Sequence, residues 1–157
     1  MERIRKVNKR TDTPYLNFYD LEVTHKGGEE SHYYMASRTR QERNMTLHTG
    51  KVHADGVAIY ALYGEKKDKV VMIRQYRYPL GDYVYEFPAG LVEPDEDFHE
   101  AAIRELHEET GLTLTPIKAD PIYEKPYFTS VGMTDESCAT VYGYASGEIS
   151  KDLMEAS

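Results

Sequence analysis

Residues 87–112 read FPAGLVEPDEDFHEAAIRELHEETGL, and this stretch decides the fold. Its second half is a predicted helix, because Asp97 and Glu100 have the Asp-x-x-Glu spacing of a capping box. Gly111 is suited to the left-handed turn that closes a helix. The stretch therefore predicts a loop followed by a helix that starts near Asp97 and ends at Gly111.

The predicted helix carries two stripes of side chains. Residues one turn apart form a mainly apolar stripe, namely Phe98, Ala102, Leu106 and Thr110. Steps of three and four residues relate a set of acids, namely Glu105, Glu108 and Glu109. Like charges at these spacings destabilise a helix, whereas Mg²⁺ prefers carboxylate oxygens and would turn the repulsion into binding. The alternative interpretation is a solvated acidic face on a surface helix.

Composition narrows the class of protein. The chain has 157 residues, the size of one domain, and a net charge of −8, which argues against nucleic acid or an anionic membrane as partner. Its single cysteine, Cys138, excludes an internal disulfide and suits a reducing cytoplasm. No segment approaches the ~18 apolar residues of a membrane helix, and the basic N-terminus has no apolar run behind it. We therefore expect a cytoplasmic protein.

Strand-like runs surround the helix. Two aromatic runs, residues 15–23 and 32–37, predict an N-terminal β-hairpin, while residues 1–14 are expected to be irregular. Further strands are predicted at 56–63, 70–78, 83–87, 120–128 and 138–145. A lone hairpin is marginal in water, so we expect residues 1–49 to form a dimerisation element and residues 50–157 to form the main domain.

The loop and helix carry a recognisable motif. Gly90, Glu96 and residues 104–112, RELHEETGL, match the Nudix box at every fixed position, so the chain resembles the Nudix hydrolase family. The resemblance implies an α/β fold, an α/β/α sandwich with a mixed central sheet. It also implies cleavage of a diphosphate linked to another moiety, with Mg²⁺ as the metal and Mn²⁺ as an alternative.

The sandwich needs a second covering helix, and nothing after Ala145 is long enough to supply it. We expect either a fragment, truncated at its C-terminal end, or a short family member whose partner chain covers this face.

The resemblance also implies residue roles within the box. The metal ligands would be Glu105, Glu109, Glu108 and the carbonyl of Ala89. Arg104 would pair with Glu96 and orient the carboxylates, which makes Arg104 and Glu108 catalytic candidates. A plain i,i+4 pair between Arg104 and Glu108 is the alternative. Gly90, Glu96 and Gly111 would give structural support.

Two segments resemble the ADP-ribose pyrophosphatase branch of the family. In the first, Arg74-Gln75-Tyr76-Arg77 precedes Glu86-Phe87-Pro88-Ala89-Gly90. By resemblance, Arg77 would approach the substrate diphosphate, and Glu86 would support the metal or the substrate. The alternative is that the two arginines are solvated charges at a strand edge.

The second segment is residues 129–136, TSVGMTDE, which resembles a mobile loop that supplies a catalytic carboxylate. Glu136 would be the base or would position the water. Val131 stands where ADP-ribose hydrolases usually have proline, which weakens the substrate assignment more than the reaction. The alternative is a solvated loop acid.

Adenine recognition usually needs an aromatic platform. Tyr33 and Arg38 have the spacing of the residues that the branch uses for this purpose, often from a dimer partner. A half-buried sheet tyrosine is the alternative interpretation of Tyr33.

The resemblance thus implies an ADP-ribose pyrophosphatase that gives AMP and ribose 5-phosphate, and we expect it to act as a homodimer. The rivals are a pyrophosphatase for another nucleoside diphosphate sugar and a Nudix-fold module that senses such ligands without cleaving them.

Overall fold

The computed structural model describes residues 3–150, which divide into two compact units. Unit 1 combines the chain up to His53 with Phe128–Ser137, and unit 2 combines Ala54–Tyr127 with the chain from Cys138 onward. The strands are β1 (Ile4–Lys9), β2 (Asn17–Thr24), β3 (Glu30–Ser37), β4 (Gly56–Tyr63), β5 (Lys69–Val70), β6 (Ile73–Arg77), β7 (Asp82–Glu86), β8 (Ala89–Leu91), β9 (Thr113–Pro116), β10 (Tyr127–Phe128) and β11 (Ser137–Ser146). The helices are α1 (Thr46–Thr49) and α2 (Phe98–Thr110), and a 3₁₀ turn spans Glu42–Asn44.

Unit 1 is built on a three-stranded antiparallel sheet in the order β1-β2-β3. Alternate side chains of the sheet point to opposite faces, so one face can be fully apolar. That face buries Tyr19, Leu21 and Met35 against Met45, with Leu47 packed at the margin. The N-terminal sheet therefore has a small core of its own.

Unit 2 is built on a mixed sheet with the path β10-β11-β4-β5. β11 runs parallel to β4, while β8 pairs antiparallel with β4 and β9 pairs antiparallel with β11. Helix α2 packs on this sheet through its apolar stripe. The shared core contains Val57, Ile59, Ala61, Ala101, Ala102, Leu106, Leu114 and Val141. β6 and β7 form a separate two-stranded hairpin.

Helix α2 has the predicted ends and the predicted buried face. The Asp97 carboxylate accepts a hydrogen bond from the backbone N–H of His99 at 2.9 Å, which caps the first turn. Gly111 has φ +75°, and its N–H donates to the carbonyl of His107 at 2.8 Å. Leu106 and Thr110 are buried along the apolar stripe, with Ala101 beside it.

Several local predictions were wrong. Residues 4–9 form strand β1 instead of an irregular segment, so the N-terminal hairpin is part of a three-stranded sheet. Residues 120–126 form turns instead of a strand, because Asp120 accepts the N–H of Ile122 with its side chain and that of Tyr123 with its carbonyl. Strands β8 and β9 were not predicted.

The mixed sheet and the helix packed on it agree with the predicted α/β class. Within residues 3–150, α2 is the one helix longer than four residues. In the same residues, no helix is long and apolar enough to cross a membrane.

Candidate active site

Gly90 in β8 meets the side chain of Glu105 from helix α2. An ideal Cβ placed on Gly90 would lie 1.9 Å from Cδ of Glu105, far inside van der Waals contact. The register of the sheet fixes this approach, since Gly90 lies opposite Val57 of β4. The carboxylate therefore occupies space that only a glycine leaves open.

Arg104, in the middle of helix α2, forms hydrogen bonds with three acids and one backbone carbonyl. Its Nε and Nη2 donate to the two oxygens of Glu96 at 3.0 and 2.9 Å, and its Nη1 donates to Glu105 at 2.8 Å. A longer contact of 3.4 Å reaches Glu108, and Nη2 also donates to the carbonyl of Leu91 at 3.1 Å. The Glu96 carboxylate raises the pKa of Arg104, and the Arg104 guanidinium lowers the pKa of Glu96. Arg104 therefore makes both predicted pairs, the bidentate one with Glu96 at the shorter distances.

Glu109 is partly buried, as is Glu105, whereas Glu108 is exposed. Burial, together with the charges of Glu105 and Glu86, raises the pKa of Glu109 to about 7. The backbone N–H of Ala89 donates to its Oε2 at 3.2 Å and acts in the opposite direction, as does the charge of Arg77. Burial and the neighbouring negative charges disfavour the ionised form of Glu109, and a bound cation would offset this unfavourable free energy.

The β6–β7 hairpin contributes a second arginine–glutamate pair. Arg77 donates from Nε to Glu86 at 3.0 Å and from Nη2 to the same carboxylate at 2.5 Å. The guanidinium is therefore held by a planar, bidentate contact and is half-exposed. This geometry leaves Arg77 accessible and oriented, instead of freely solvated.

The donor chemistry of these residues suits a divalent cation. Glu105, Glu109 and Glu86 supply hard oxygen donors, and the charges of Glu105 and Glu86 act on Glu109. Gly90 leaves space for the carboxylate of Glu105. As the side chains stand, no group of three or more His, Cys, Asp or Glu in residues 3–150 is gathered tightly enough to hold an ion. The residues fit a divalent metal by the chemistry of their oxygen donors.

The remaining predicted residues lie in unit 1, on and beside the loop at 129–136. Arg38 forms an ion pair and a hydrogen bond through Nε with Glu136. The hydroxyl of Tyr33 donates to the carbonyl of Gly132 at 2.6 Å. The structure thus brings Tyr33, Arg38 and Glu136 together, and it separately brings together the box residues with Glu86 and Arg77.

Backbone groups of the site were not predicted in their observed roles. The sequence resemblance assigned the carbonyl of Ala89, whereas the structure uses its N–H to hold Glu109. The carbonyl of Leu91 likewise accepts from Arg104. Side-chain patterns carry no signal for such contacts, because any residue type presents the same N–H and C=O groups.

The geometry around α2 matches a known domain. A model of the NUDIX domain matches residues 52–153. The chain belongs to the Nudix family. Nudix hydrolases act on nucleoside diphosphate derivatives and generally use divalent metal ions.

Relatives of this chain include several pyrophosphatases. The chain is 30% identical over 131 residues to an ADP-ribose pyrophosphatase of Saccharomyces cerevisiae, covering 82% of this chain and 54% of that protein. It is 39% identical over 77 residues to an ADP-sugar pyrophosphatase of Mus musculus, covering 48% of this chain and 35% of that protein. The chain therefore spans about half the length, or less, of these relatives.

A solved structure supports the fold. The crystal structure of an ADP compounds hydrolase superposes with a TM-score of 0.67 at 19% identity, covering 98% of this chain and 71% of that chain. At this identity the likeness establishes the α/β fold.

Proposed function

We propose that the protein is a Mg²⁺-dependent hydrolase that cleaves the diphosphate of ADP-ribose to AMP and ribose 5-phosphate. The observation that carries the proposal is the arrangement around α2. Glu109 accepts the N–H of Ala89, and Glu105 lies against Gly90. Arg104 donates to both Glu96 and Glu105.

The residues proposed to hold the metal are Glu105, Glu109, Glu108 and the carbonyl of Ala89, with Mn²⁺ as an alternative ion. A divalent cation bound there would neutralise phosphate charge and activate a water. Arg104 would keep the carboxylate of Glu105 in place by donating to it from Nη1. Phosphoryl transfer depends mainly on positioning and charge neutralisation, so fixed carboxylates suit it.

Arg77 is the proposed contact to the substrate diphosphate, and Glu86 is proposed to support the metal or the substrate. The bidentate pair with Glu86 orients the guanidinium of Arg77 without covering it fully. A planar donor held in this way can form two parallel bonds to a phosphate. The role of Glu86 would then be to hold Arg77 in place, in addition to any contact with the metal.

We assign Glu136 as the base or as the residue that positions the attacking water. Its carboxylate pairs with Arg38, so the side chain is held in one direction instead of being freely solvated. The roles of Tyr33 and Arg38 in binding adenine stay predictions of the sequence resemblance.

A pyrophosphatase for another nucleoside diphosphate sugar is the second candidate. Val131 replaces the proline usual in ADP-ribose enzymes, which favours a broader or different substrate. A ligand-sensing module without activity is the third candidate, and the complete box argues against it.

A hydrolysis panel tests the proposal. ADP-ribose, other nucleoside diphosphate sugars and dinucleotides would be incubated with the full chain and Mg²⁺, and products identified by chromatography. AMP and ribose 5-phosphate from ADP-ribose, formed faster than products from the other compounds, are expected. Faster cleavage of another sugar would select the second candidate, and binding without cleavage would select the third.

The net charge of −8 favours a small-molecule substrate over nucleic acid or an anionic membrane. A homodimer and a cytoplasmic location are the remaining proposals for the protein as a whole.

A further inference from the structure

The loop at 129–136 is held along the edge of strand β3 by contacts of three kinds. The backbone N–H of Ala36 donates to the carbonyl of Met133 at 2.9 Å, and Ala36 forms a parallel bridge with Thr134. The hydroxyl of Tyr33 reaches the carbonyl of Gly132 at 2.6 Å. The loop therefore adds a short stretch of backbone to the edge that β2 leaves unpaired.

The third contact is the ion pair of Arg38 with Glu136. Both side chains are about one-third exposed, so solvent screens the pair only partly. The backbone N–H of Glu136 also donates to the hydroxyl of Thr134 at 3.0 Å, which fixes the main chain from which the carboxylate projects. Both the position and the direction of the carboxylate are therefore set by residues of unit 1.

The loop also has internal order. The N–H groups of Met133 and Thr134 both donate to the carbonyl of Ser130, at 2.8 and 3.0 Å. This turn presents the carbonyls of Gly132 and Met133 toward β3, where Tyr33 and Ala36 bind them. A loop closed on itself and docked at three points is a preorganised support for one side chain.

We propose that Arg38 and Tyr33 are positioning residues for Glu136: they dock the 129–136 loop on β3, and Arg38 fixes the direction of its carboxylate. The inference rests on the proposed function in one respect, namely that Glu136 acts in hydrolysis. It differs from the adenine-binding role that the sequence resemblance implies for Tyr33 and Arg38. Positioning residues act through Glu136 and affect the chemical step, whereas residues that bind the base affect substrate affinity.

Kinetics of Arg38 variants separate the two roles. For Arg38→Met, we expect the single-turnover rate at saturating ADP-ribose to fall about tenfold or more, with KM changed less than about threefold. Arg38→Lys keeps the charge but loses the Nε donor, so it should recover part of the rate. A large rise in KM with an unchanged rate would overturn the proposal and support base binding.

A double-mutant cycle tests whether Arg38 acts through Glu136. Glu136→Gln should lower the rate more than Arg38→Met does, and the double variant should be no slower than Glu136→Gln alone. Rate losses that multiply would show that Arg38 acts independently of Glu136, which contradicts the proposal. Arg40→Met is the matched control, because the Nε of Arg40 donates to the carbonyl of Pro14 instead of the loop.

Tyr33 is tested with its neighbour as control. Tyr33→Phe removes only the hydroxyl that binds Gly132 and should slow the chemical step, whereas Tyr34→Phe makes the same change at a ring that stacks on Phe18. Equal rates for wild type and Tyr33→Phe would exclude Tyr33 from the positioning role. Circular dichroism confirms that each variant is folded.

Hydrogen exchange tests the docking of the 129–136 loop on β3 without any measurement of catalysis. The Ala36 amide should exchange faster in Arg38→Met and in Tyr33→Phe than in wild type, while the amides paired between β1 and β2 should not change. Unchanged exchange at Ala36 in both variants would overturn docking, whatever the enzyme hydrolyses. Failure of the substrate panel together with faster exchange would instead reject the proposed function and leave the docking role in place.

Discussion

Glu109 of helix α2 accepts a hydrogen bond from strand β8 and lies near other acids whose charges raise its pKa. Replacing it with glutamine keeps its shape and an acceptor for the N–H of Ala89, but removes the charge of one proposed metal ligand. We expect Glu109→Gln to lower kcat by about a hundredfold or more, since one lost ligand forfeits several kcal/mol of transition-state stabilisation. The fold should be retained.

The measurement is steady-state turnover of ADP-ribose at saturating Mg²⁺, with circular dichroism as the test of folding. Glu100→Gln is the control, because it makes the same change at an exposed position of the same helix. Turnover of Glu109→Gln near that of wild type would sink the assignment of Glu109 as a ligand.

Gly90 gives a second prediction for a single residue. A Cβ at this position would lie 1.9 Å from the Glu105 side chain, so Gly90→Ala must displace either the carboxylate or strand β8. We expect activity to fall at least tenfold and the melting temperature to drop, by a loss of about 1–3 kcal/mol in unfolding free energy. Gly27→Ala is the control, since a Cβ there meets nothing within 4 Å. Equal melting temperatures and rates for the two variants would show that the Glu105 carboxylate does not depend on the space left by Gly90.

Contacts between residues close in the sequence could be predicted, whereas contacts between distant residues could not. Arg104, Glu105 and Glu109 share one helix, so a periodic spacing places them on neighbouring faces. The pair of Arg38 with Glu136 spans 98 residues, and no local pattern encodes it. The arginine was predicted to bind substrate, whereas its observed contact is with the loop.

Helix α2 allows a prediction at the scale of one element. Asp97 caps the first turn through its carboxylate, so Asp97→Ala should cost about 1 kcal/mol of unfolding free energy. Chemical denaturation is the measurement. Glu100→Ala removes an exposed acid from the same turn and should cost less. Its expected cost is at most about 0.3–1 kcal/mol of unfolding free energy, the contribution of one charge near a helix N-terminus. A larger loss for Glu100→Ala than for Asp97→Ala would show that the cap is unimportant.

Strand β2 carries an acid whose ionisation is tied to folding. Hydrogen bonds from Arg10 and from His32 lower the pKa of the buried Asp20 below its ordinary value. Because the folded pKa is the lower one, the stabilisation is complete above the unfolded pKa of about 3.9 and is lost as pH falls through the folded pKa. Asp20→Asn should therefore lose stability at neutral pH and show a flatter acid limb below about pH 4.

Urea denaturation from pH 7 to pH 2 measures this dependence. Glu29→Gln, at an exposed turn, is the control. If the unfolding free energy falls equally steeply below about pH 4 in wild type and in Asp20→Asn, Asp20 does not contribute to the acid sensitivity of the fold.

The elements that were mispredicted have local causes. In β1 the apolar residues Ile4 and Val7 are three positions apart, which breaks the two-residue alternation of a strand. The register shifts between Ile4 and Lys6, and this bulge lets both apolar residues pack against the core of unit 1. Strand β4 was predicted because its long apolar run needs no such adjustment.

Assembly belongs to the scale of the whole molecule. The N-terminal sheet buries one face on its own chain, while on its other face Phe18 and Tyr34 stack at 5.8 Å and remain exposed. We expect this element to mediate a homodimer, since exposed aromatic rings are typical of interaction surfaces. Sedimentation equilibrium at micromolar concentration should show a dimer that Phe18→Glu shifts toward monomer.

Tyr85→Glu, at an exposed position of β7, is the control and should leave the dimer intact. Sedimentation of wild type as a monomer alone would refute the dimer, and loss of the dimer in both variants would assign it to another surface.

Unit 1 is formed by two segments that are far apart in the sequence, and this affects the order in which the chain can fold. Its N-terminal sheet lies within the first 53 residues, yet its last piece is residues 128–137, and the Tyr33–Gly132 bond closes a loop of 99 residues. On a ribosome the sheet can form early, but its outer edge stays bare until residue 137 has emerged. Closing so long a loop costs conformational entropy, and this cost grows with the number of residues in the loop. A gene split between residues 49 and 50 should therefore yield an N-terminal piece whose β3 edge is open to other strands and prone to aggregation.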